Sequence, residues 1–417
     1  SLSPNLSHTH INNVMTTERA SSNTHEAVFV HPIVSDIRHG KLVPLRTKAE
    51  VQASTETIDV YIVEIPSKSA STALDLIKRA IPNNDSTTWH HIRRFVKPEY
   101  LPQHLLISLA EPHSFQTLHM LICPTATITL EELTALFATS PRLSAPLAPL
   151  LRVIPVPKYH PASAIQAAEW SEKYWPIAFK NQNPYGPHPA LIARAGVELA
   201  TDHGADTFIA LAHNVGLEVG KEGFGMNIGA VVVERNAFIG TKVVAVAGDA
   251  RYLGTIQEKD WKKGNNPMAH AVMRAIGMVA EKRVGMSKTS APSVSLAADA
   301  PVSNIADPFV VQPITPVEKH YFELTNNLAP NGYLCLDLEI YLTHEPCTMC
   351  AMALSHSRFG RVAFAKEMLK TGGLGSEKES LGYGLFWTDS NWRMLCWRWE
   401  SADEEGYNTA VHEDTQA

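Results

Sequence analysis

Three side chains of metal-binding type stand in the second half of the chain: His270, Cys347 and Cys350. The two cysteines follow Pro346, and the histidine lies three residues after Pro267. Proline is favoured at the first helical position, so each proline predicts a helix start. The unpaired amides and dipole of a first helical turn favour a thiolate, and two sulfurs with one imidazole nitrogen are typical of tetrahedral zinc with a fourth position open. The sequence therefore predicts a zinc site on two helix N-termini.

The alternative is that the cysteines are small core residues and that His270 is a hydrogen-bonded histidine at a helix start. Zinc-dependent nucleobase deaminases carry H-x-E…P-C-x-x-C, in which the Glu moves protons and does not bind the metal. Val272 stands at that Glu position here. An isopropyl group transfers no proton, and loss of a general acid–base group costs about 10²–10⁴ in rate. Glu345 lies beside the Cys helix and not on the His helix, so we expect a zinc site without its catalytic residue.

The same segments carry a family resemblance. His-Ala-Val within NPMAHAVMRAIGMVA and Pro-Cys-x-x-Cys within YLTHEPCTMCAMALSHSRFGRVAFA resemble the non-catalytic subunit of the eukaryotic heterodimeric tRNA adenosine deaminase. Weaker similarity lies at AAEWSEKYWPIAFK, GAVVVERN and GLFWTDSNWRMLCWRW. The resemblance implies Zn²⁺ as cofactor, a catalytic deaminase subunit and tRNA as partners, and a nuclear and cytoplasmic location. It also implies a chain that is inactive alone and supports wobble adenosine-to-inosine editing.

Composition sets broad limits on the fold. The 417 residues are 45% hydrophobic and 19% charged, which is ordinary for a globular protein of two or three domains. No apolar run approaches the roughly eighteen residues that span a bilayer, and five scattered cysteines fit a reducing compartment. The net charge of −6 equals the six carboxylates of residues 400–417, where Lys and Arg are absent. The remaining chain is neutral, so nucleic-acid binding would need local basic patches.

The first 157 residues divide into two parts. Residues 1–57 are rich in Ser, Thr, Asn and His, which predicts a mostly disordered leader apart from one short strand in HEAVFVHPIVSD. From residue 58 the sequence predicts a β-α-β-β-α-β order, which is that of an α+β ferredoxin-like domain. The segments are, in chain order, IDVYIVEI, SASTALDLIKRAI, WHHIRRFV, either HLLISLA or LHMLICP, TLEELTALFA and LLRVIPV. Arg93, Arg94 and Lys97 beside Phe95 are candidate tRNA contacts given the resemblance; the other interpretation is a half-solvated strand with charged outward residues.

Residues 158–400 are predicted to form an α/β domain. The runs GAVVVER and KVVAVAGDARYL predict a hairpin, followed by the His helix (267–283), the strand CLDLEIYLT, the Cys helix (346–357) and the strand RVAFAKE. That order is typical of a cytidine-deaminase-like α/β/α sandwich, with the site at the C-terminal edge of a strand. A Ser-, Ala- and Pro-rich stretch at 286–316 predicts a low-complexity surface insertion, and 401–417 an acidic tail.

The sequence thus predicts a non-catalytic, zinc-binding subunit of the tRNA wobble-adenosine deaminase whose N-terminal domain helps position tRNA. Two alternatives stay open. The chain could be an active zinc-dependent nucleoside or nucleotide deaminase with an unidentified proton carrier, or a zinc-stabilised interaction module without a role in tRNA. Deamination by the isolated chain would favour the first. Copurification without a deaminase partner, and no effect on inosine, would favour the second.

Overall fold

The structure is a computed structural model that describes residues 37–81, 90–106, 117–140, 143, 151–180, 182–201, 204–236, 240–253, 266–290, 308–330, 332–403, 407 and 411–417. The described residues form two modules, each with its own sheet. The strands are β1 (Gly40–Pro44), β2 (Thr57–Pro66), β3 (Phe95–Val96), β4 (Thr117–Pro124), β5 (Arg152–Pro157), β6 (Gly229–Asn236), β7 (Gly240–Gly248), β8 (Glu339–His344), β9 (Arg361–Lys366) and β10 (Leu395–Ser401). The helices are α1 (Lys48–Thr55), α2 (Ala70–Ala80), α3 (Gln103–Leu106), α4 (Leu130–Ala138), α5 (Ala164–Lys173), α6 (Pro189–Ala200), α7 (Ala205–Lys221), α8 (Ala271–Ser290), α9 (Pro316–Glu323) and α10 (Thr348–His356).

The N-terminal module is an antiparallel sheet in the order β3-β4-β2-β5. Helices α2 and α4 follow β2 and β4 in the chain, so the split β-α-β arrangement predicted from the sequence is confirmed. Apolar side chains alternate along β2, and the two sets build separate cores: Val63 and Ile65 face α2 and α4, while Val60 and Ile62 face the opposite side.

The second strand of this module is shorter than predicted. Only Phe95 and Val96 of WHHIRRFV pair with β4. His91 and Arg93 instead hydrogen-bond through their backbones to residues 176–178, which removes them from the ladder. Of the two choices for the third strand, LHMLICP is correct, whereas His104–Leu106 of HLLISLA lie in the short helix α3.

Two predicted boundaries need correction. The leader was predicted to extend to residue 57, but residues 40–55 form β1 and α1; residues 1–36, including the HEAVFVHPIVSD strand, lie outside the described residues. The deaminase-like domain was predicted to begin at 158, yet α5 and the segment after it pack against the N-terminal sheet, where Trp170 and Trp175 are buried among Val60, Ile154 and Val156. Both tryptophans are therefore core residues of the N-terminal module.

The C-terminal module contains a six-stranded sheet in the order β1-β10-β9-β8-β6-β7. Strands β8, β9 and β10 are parallel, and each is separated from the next by a helix or a long connection, which parallel pairing requires. Strand β6 is antiparallel to β7 and β8. Strand β1 closes one edge by antiparallel pairing with β10, from Gly40 opposite Ser401 to Pro44 opposite Trp397. The predicted hairpin and the two strands that follow it are confirmed.

Helices cover both faces of this sheet. Helices α8 and α10 pack on one face, with Val232, Ile340 and Val362 beneath them. Helices α6, α7 and α9 pack on the other, over Val231 and Tyr341. The α/β/α sandwich predicted from the sequence is therefore confirmed. Among the described residues, no helix combines the length and the apolar character needed to cross a lipid bilayer.

The predicted insertion at 286–316 is too wide at both ends. Helix α8 continues to Ser290, and residues 308–314 are held against it through the carbonyls of Val310 and Gln312, which accept hydrogen bonds from Arg274. Residues 291–307 lie outside the described part of the chain.

Candidate metal centre

His270 lies immediately before α8, at the end of a turn that follows β7. The N–H of Ala269 donates to the carbonyl of Asn266 (3.2 Å), and the carbonyl of Ala269 accepts from the N–H of Ala250 (2.9 Å) at the end of the sheet. Pro267 therefore belongs to this turn, where proline is also favoured. The helix begins at Ala271, four residues later than the proline predicted, because the turn satisfies the backbone groups that a helix would otherwise use.

The cysteines stand at the start of α10, directly after the buried strand β8. Cys347 is the residue before the helix and has an extended backbone, and Cys350 lies in the first turn. Both thiols and His270 are buried, at 3%, 0% and 2% exposure. Pro346 precedes the first helical residue by two positions and does not occupy it. The two helix N-termini meet at the C-terminal edge of β8, as the sequence predicted.

The geometry of the three donors fits zinc. Nδ1 of His270 lies 3.7 Å from Sγ of Cys347 and 3.5 Å from Sγ of Cys350, and the three atoms lie within 4.8 Å of one another. A tetrahedral ion with Zn–N near 2.0–2.1 Å and Zn–S near 2.3 Å would separate nitrogen and sulfur by about 3.6 Å. The structure thus brings together all three predicted ligands, with both nitrogen–sulfur distances close to those that such an ion requires.

A hydrogen bond joins the two thiols of this site. It lowers the pKa of the Cys347 thiol to about 4. The same hydrogen bond, together with burial, raises the pKa of Cys350. The arrangement therefore favours the thiolate of Cys347, which is the form of cysteine that binds a metal.

Val272 stands two residues after His270, at the position where the deaminase signature has Glu. Its side chain is 3% exposed and packs in the core with Ala271 and Ala275. Glu345 does not replace the missing acid, because its carboxylate accepts the backbone N–H groups of residues 368, 374 and 375 at 3.0, 3.0 and 2.7 Å. Burial raises the pKa of Glu345, and these amides oppose the rise. Its role is to hold the glycine-rich loop, defined as residues 371–384.

Sequence reasoning missed a second layer around the donors. Asp249, just after β7, binds Arg251 through a buried ion pair of 2.8 Å. Arg251 in turn donates to the carbonyl of Gln416 (2.7 Å), and the N–H of Cys347 donates to the carbonyl of Ala417 (2.8 Å). The one available signal was an Asp and an Arg two residues apart, directly after a strand that ends near the predicted site.

The last described segment, residues 411–417, covers the site. It is held further by Thr371, whose hydroxyl donates to the carbonyl of Thr415 (2.7 Å), and by Lys366, which donates to the carbonyl of Val411 (3.0 Å). Val411 and Ala417 are 8% and 4% exposed. Residues 411–417 of the predicted acidic tail are thus held against the deaminase-like module by hydrogen bonds to their backbone carbonyls and by Lys370, whose Nζ lies 3.1 Å from Asp414.

The three candidate tRNA contacts lie far along the chain from this centre, in the N-terminal module. The side chains of Arg93 and Lys97 are exposed, and Lys97 lies 3.5 Å from Glu99. Arg94 is partly buried and donates to the carbonyl of Ile122 (3.4 Å), and burial lowers its pKa. Arg94 is thus partly committed to the fold, whereas Arg93 and Lys97 face solvent.

Comparison with known proteins agrees with this geometry. Residues 204–366 match the cytidine and deoxycytidylate deaminase zinc-binding region. The tRNA-specific adenosine deaminase subunit TAD3 of Saccharomyces cerevisiae is 24% identical over 359 residues, which cover 82% of this chain and 85% of that protein. The corresponding tad3 subunit of Schizosaccharomyces pombe is 24% identical over 343 residues, 82% of this chain and 84% of that protein. A probable inactive tRNA-specific adenosine deaminase-like protein 3 of Danio rerio is 27% identical over 223 residues, about half of each chain.

The matched zinc-binding region contains the β6–β9 core, His270 and both cysteines. The similarity to the two yeast subunits extends beyond it over most of the chain. The chain therefore carries a cytidine-deaminase-like zinc-binding domain within a protein similar, over four fifths of its length, to the TAD3 subunits of tRNA-specific adenosine deaminase.

Proposed function

We propose that this chain is the non-catalytic, zinc-binding subunit of a tRNA-specific adenosine deaminase that converts the wobble adenosine to inosine. A separate catalytic subunit supplies the Glu that this chain lacks. The chain contributes a stable deaminase-like partner surface and a module that helps to position the tRNA. The resemblance extends the proposal to a nuclear and cytoplasmic location, which imaging of the tagged chain tests.

The observation that carries the proposal is the buried Val272 in an otherwise complete donor site. Deamination needs a group that moves a proton from water to the base and then to the leaving ammonia. Val272 has no such group, and Glu345 and Asp249, the two buried carboxylates described beside the site, are held by backbone amides and by Arg251. The three donors are also buried, and residues 416 and 417 are hydrogen-bonded to Arg251 and Cys347 beside them.

Zinc has a structural role in this proposal. His270, Cys347 and Cys350 would hold one ion, which joins the start of α8 to the start of α10. Two further contacts hold the segment 411–417 at this site: Arg251 donates to the carbonyl of residue 416, and the N–H of Cys347 donates to the carbonyl of residue 417. A structural zinc ion of this kind contributes directly to folding.

The N-terminal module supports the tRNA part of the proposal through its exposed cations. Arg93 and Lys97 are the candidates that face solvent. We expect them to bind phosphates, since the module has no large excess of positive charge and base-specific contacts would need a different set of side chains. Arg94 contributes mainly to the fold through Ile122.

Inosine formation on full-length tRNA tests the proposal. The chain alone should form no inosine, and the chain with a catalytic subunit should do so at a rate that the catalytic subunit alone does not reach. Inosine formed by the isolated chain would refute the non-catalytic role. Absence of any stimulation in the mixture, with both chains folded and zinc-loaded, would refute the tRNA role.

A further inference from the structure

Two chain segments connect the modules. One is the strap, defined here as residues 40–56, which contains β1 and α1. The other leads from Phe179, which packs with the N-terminal sheet, to the start of α6 at Pro189. The strap leaves the N-terminal sheet at Glu56, whose carbonyl accepts the N–H of Lys158 (3.0 Å) and whose side chain forms an ion pair of 2.8 Å with it. Where these two segments are fixed on the deaminase-like module, they determine how the N-terminal module is oriented.

The strap is fixed at its first part by the sheet. Strand β1 adds to the edge of the deaminase-like sheet by pairing with β10. Just after β1, Arg46 forms a bidentate ion pair with Glu377 of the glycine-rich loop, at 2.9 and 2.7 Å. That pair is about half exposed, so it stabilises the contact only slightly.

The buried contact of the strap is made by Glu50, in the first turn of α1. One carboxylate oxygen of Glu50 accepts the N–H of Thr47 (2.5 Å), which completes a capping box. The other oxygen accepts the side-chain amide of Asn183 (2.5 Å), 133 residues away, and Glu50 is 8% exposed. The hydroxyl of Thr47 donates to the carbonyl of Tyr185 (2.7 Å). Glu50 therefore binds its own helix and the loop 183–187 at once.

The loop 183–187 is part of the second connection and leads directly into α6. It folds tightly around the carboxylate: a Cβ on Gly186 would lie 2.9 Å from Oε1 of Glu50. The same loop also contacts the segment between β5 and α5, since the hydroxyl of Tyr185 accepts the N–H of His160 (3.1 Å). The two connections, the strap and the loop before α6, are thus joined at one buried carboxylate.

We propose that Glu50 is a positioning residue that fixes the orientation of the N-terminal module relative to the deaminase-like module. Its carboxylate ties α1, which continues into the central strand β2, to the loop that begins α6. Resting on the function proposed above, this orientation determines where a bound tRNA presents its anticodon to the catalytic subunit. Loss of the contact should leave each module folded and the zinc bound, and should weaken productive tRNA binding.

The chain contains a matched control for the helix-capping part of this role. Helix α4 begins with the same capping box, in which Thr129 and Glu132 bind each other's backbone N–H groups. Glu132 is exposed, and its hydrogen bonds described here stay within that cap. Glu132→Ala therefore removes a capping box alone, whereas Glu50→Ala removes a capping box and the contact to Asn183.

A distance measurement on the full chain tests the orientation directly. Spin labels at Lys78→Cys on α2 and Leu217→Cys on α7 sit on exposed positions of the two modules, and the five native cysteines are buried. We expect Glu50→Ala to broaden or shift the distance distribution and Glu132→Ala to leave it unchanged. An unchanged distribution in Glu50→Ala would overturn the proposal.

A paired substitution separates positioning from general stability. In Glu50→Gln, an amide NH₂ must face either the N–H of Thr47 or the NH₂ of Asn183, so one contact becomes donor to donor. Adding Asn183→Asp supplies a carboxylate that accepts from the new amide and still accepts the N–H of Tyr185, although the donor to Pro187 is lost. Glu50→Gln should therefore broaden the distribution of distances between the two spin labels, and the double variant should narrow that distribution again. Failure of any rescue would assign Glu50 to helix capping alone.

The functional readout uses the reconstituted complex with tRNA. Glu50→Ala should raise the KM for tRNA roughly tenfold, the scale of one lost hydrogen bond to a charged group, with kcat and zinc content unchanged. Glu132→Ala should leave KM unchanged. A fall in kcat alone, or an unchanged KM with a broadened distance distribution, would overturn the link to tRNA presentation. An inactive wild-type complex would instead refute the proposed function, and the distance result would stand independently.

Discussion

The ion pair between Arg274 and Glu318 is predicted to be among the most sensitive contacts of the deaminase-like module. Both side chains are 0% exposed and are joined at 2.5 and 2.9 Å. All five guanidinium N–H groups are used, because Arg274 also donates to the carbonyls of residues 248, 310 and 312. Glu318 also accepts the N–H groups of residues 248 and 314. The pair therefore links α8, β7 and the segment that returns to α9.

Breaking such a pair leaves an uncompensated buried charge, which costs about 3–5 kcal/mol. We expect Glu318→Gln and Arg274→Met each to lower the free energy of unfolding by an amount in that range, read from urea midpoints of the zinc-loaded chain. Replacing both charges is often neutral in other buried pairs. Here the double variant should stay about 3 kcal/mol or more below the wild type. Three carbonyls would lose the Arg274 donors, and Glu318→Gln keeps one acceptor oxygen for two N–H groups, so four backbone groups would lose their partners at about 1–3 kcal/mol each before relaxation.

The neighbouring pair Lys319 and Glu323 on the same helix supplies the control. It is exposed at 65% and 63% with a separation of 3.7 Å, so Glu323→Gln should change stability by less than about 0.5 kcal/mol. A double variant of Arg274 and Glu318 within about 1 kcal/mol of the wild type would refute the reasoning, because the backbone partners would then contribute little. So would single variants no more costly than Glu323→Gln.

Three further outcomes follow from the site and its surroundings. Cys347→Ser should lower zinc content and the melting temperature, and it should abolish the stability loss that a chelator causes in the wild type; a wild type that does not respond to chelation would contradict the structural role of the metal. Burial lowers the pKa of His213 to about 3, so this residue is neutral when folded but protonates near 6.5 when unfolded. The contribution of His213 to the free energy of unfolding is therefore fully present above pH 6.5, and it declines by up to about 1.4 kcal/mol per pH unit as the pH falls toward 3. In His213→Phe the urea midpoint should accordingly depend less on pH. Glu345→Gln keeps only one acceptor oxygen for three amides, so hydrogen exchange at Leu374 and Gly375 should accelerate, and unchanged exchange there would show that the carboxylate does not hold the loop.

The features that sequence reasoning located correctly are those with a strong local pattern. The alternating apolar runs of the N-terminal module and the hairpin of β6 and β7 each bury one or both faces, and this pattern is visible within ten residues. His270, Cys347 and Cys350 were identifiable because their residue types and spacing are restricted by metal geometry. Helix starts were less well placed, since Pro267 and Pro346 favour turns as well as first helical positions.

The features that were missed depend on contacts far along the chain. Strand β1 is only five residues long, and its partner strand is distant in sequence, since Ser401 lies 361 positions from Gly40. Its own residues therefore give no local signal that separates it from the polar segment before it. Helix α7 contains Gly216 and Gly220, which lower helix propensity. Both are needed by packing: a Cβ at Gly216 would lie 3.1 Å from the backbone of residues 227–228, and one at Gly220 would overlap the Asn227 side chain. No local sequence pattern predicts such close contacts between a helix and a distant backbone segment.

The three candidate metal donors and the buried valine beside them differ in how much of the fold depends on them. The donors are the points at which α8, α10 and the segment 411–417 meet, and Cys347 contributes both a thiol and the N–H that binds Ala417. Val272, by contrast, contributes only to the apolar core beneath α8, where a carboxylate would be desolvated at a cost of several kcal/mol. Loss of the donors would therefore release three parts of the chain, whereas loss of the proton carrier leaves the fold intact. The effects of metal removal should accordingly appear first at the contact between Arg251 and residue 416, as loss of order in 411–417, and not in any chemical step of this chain.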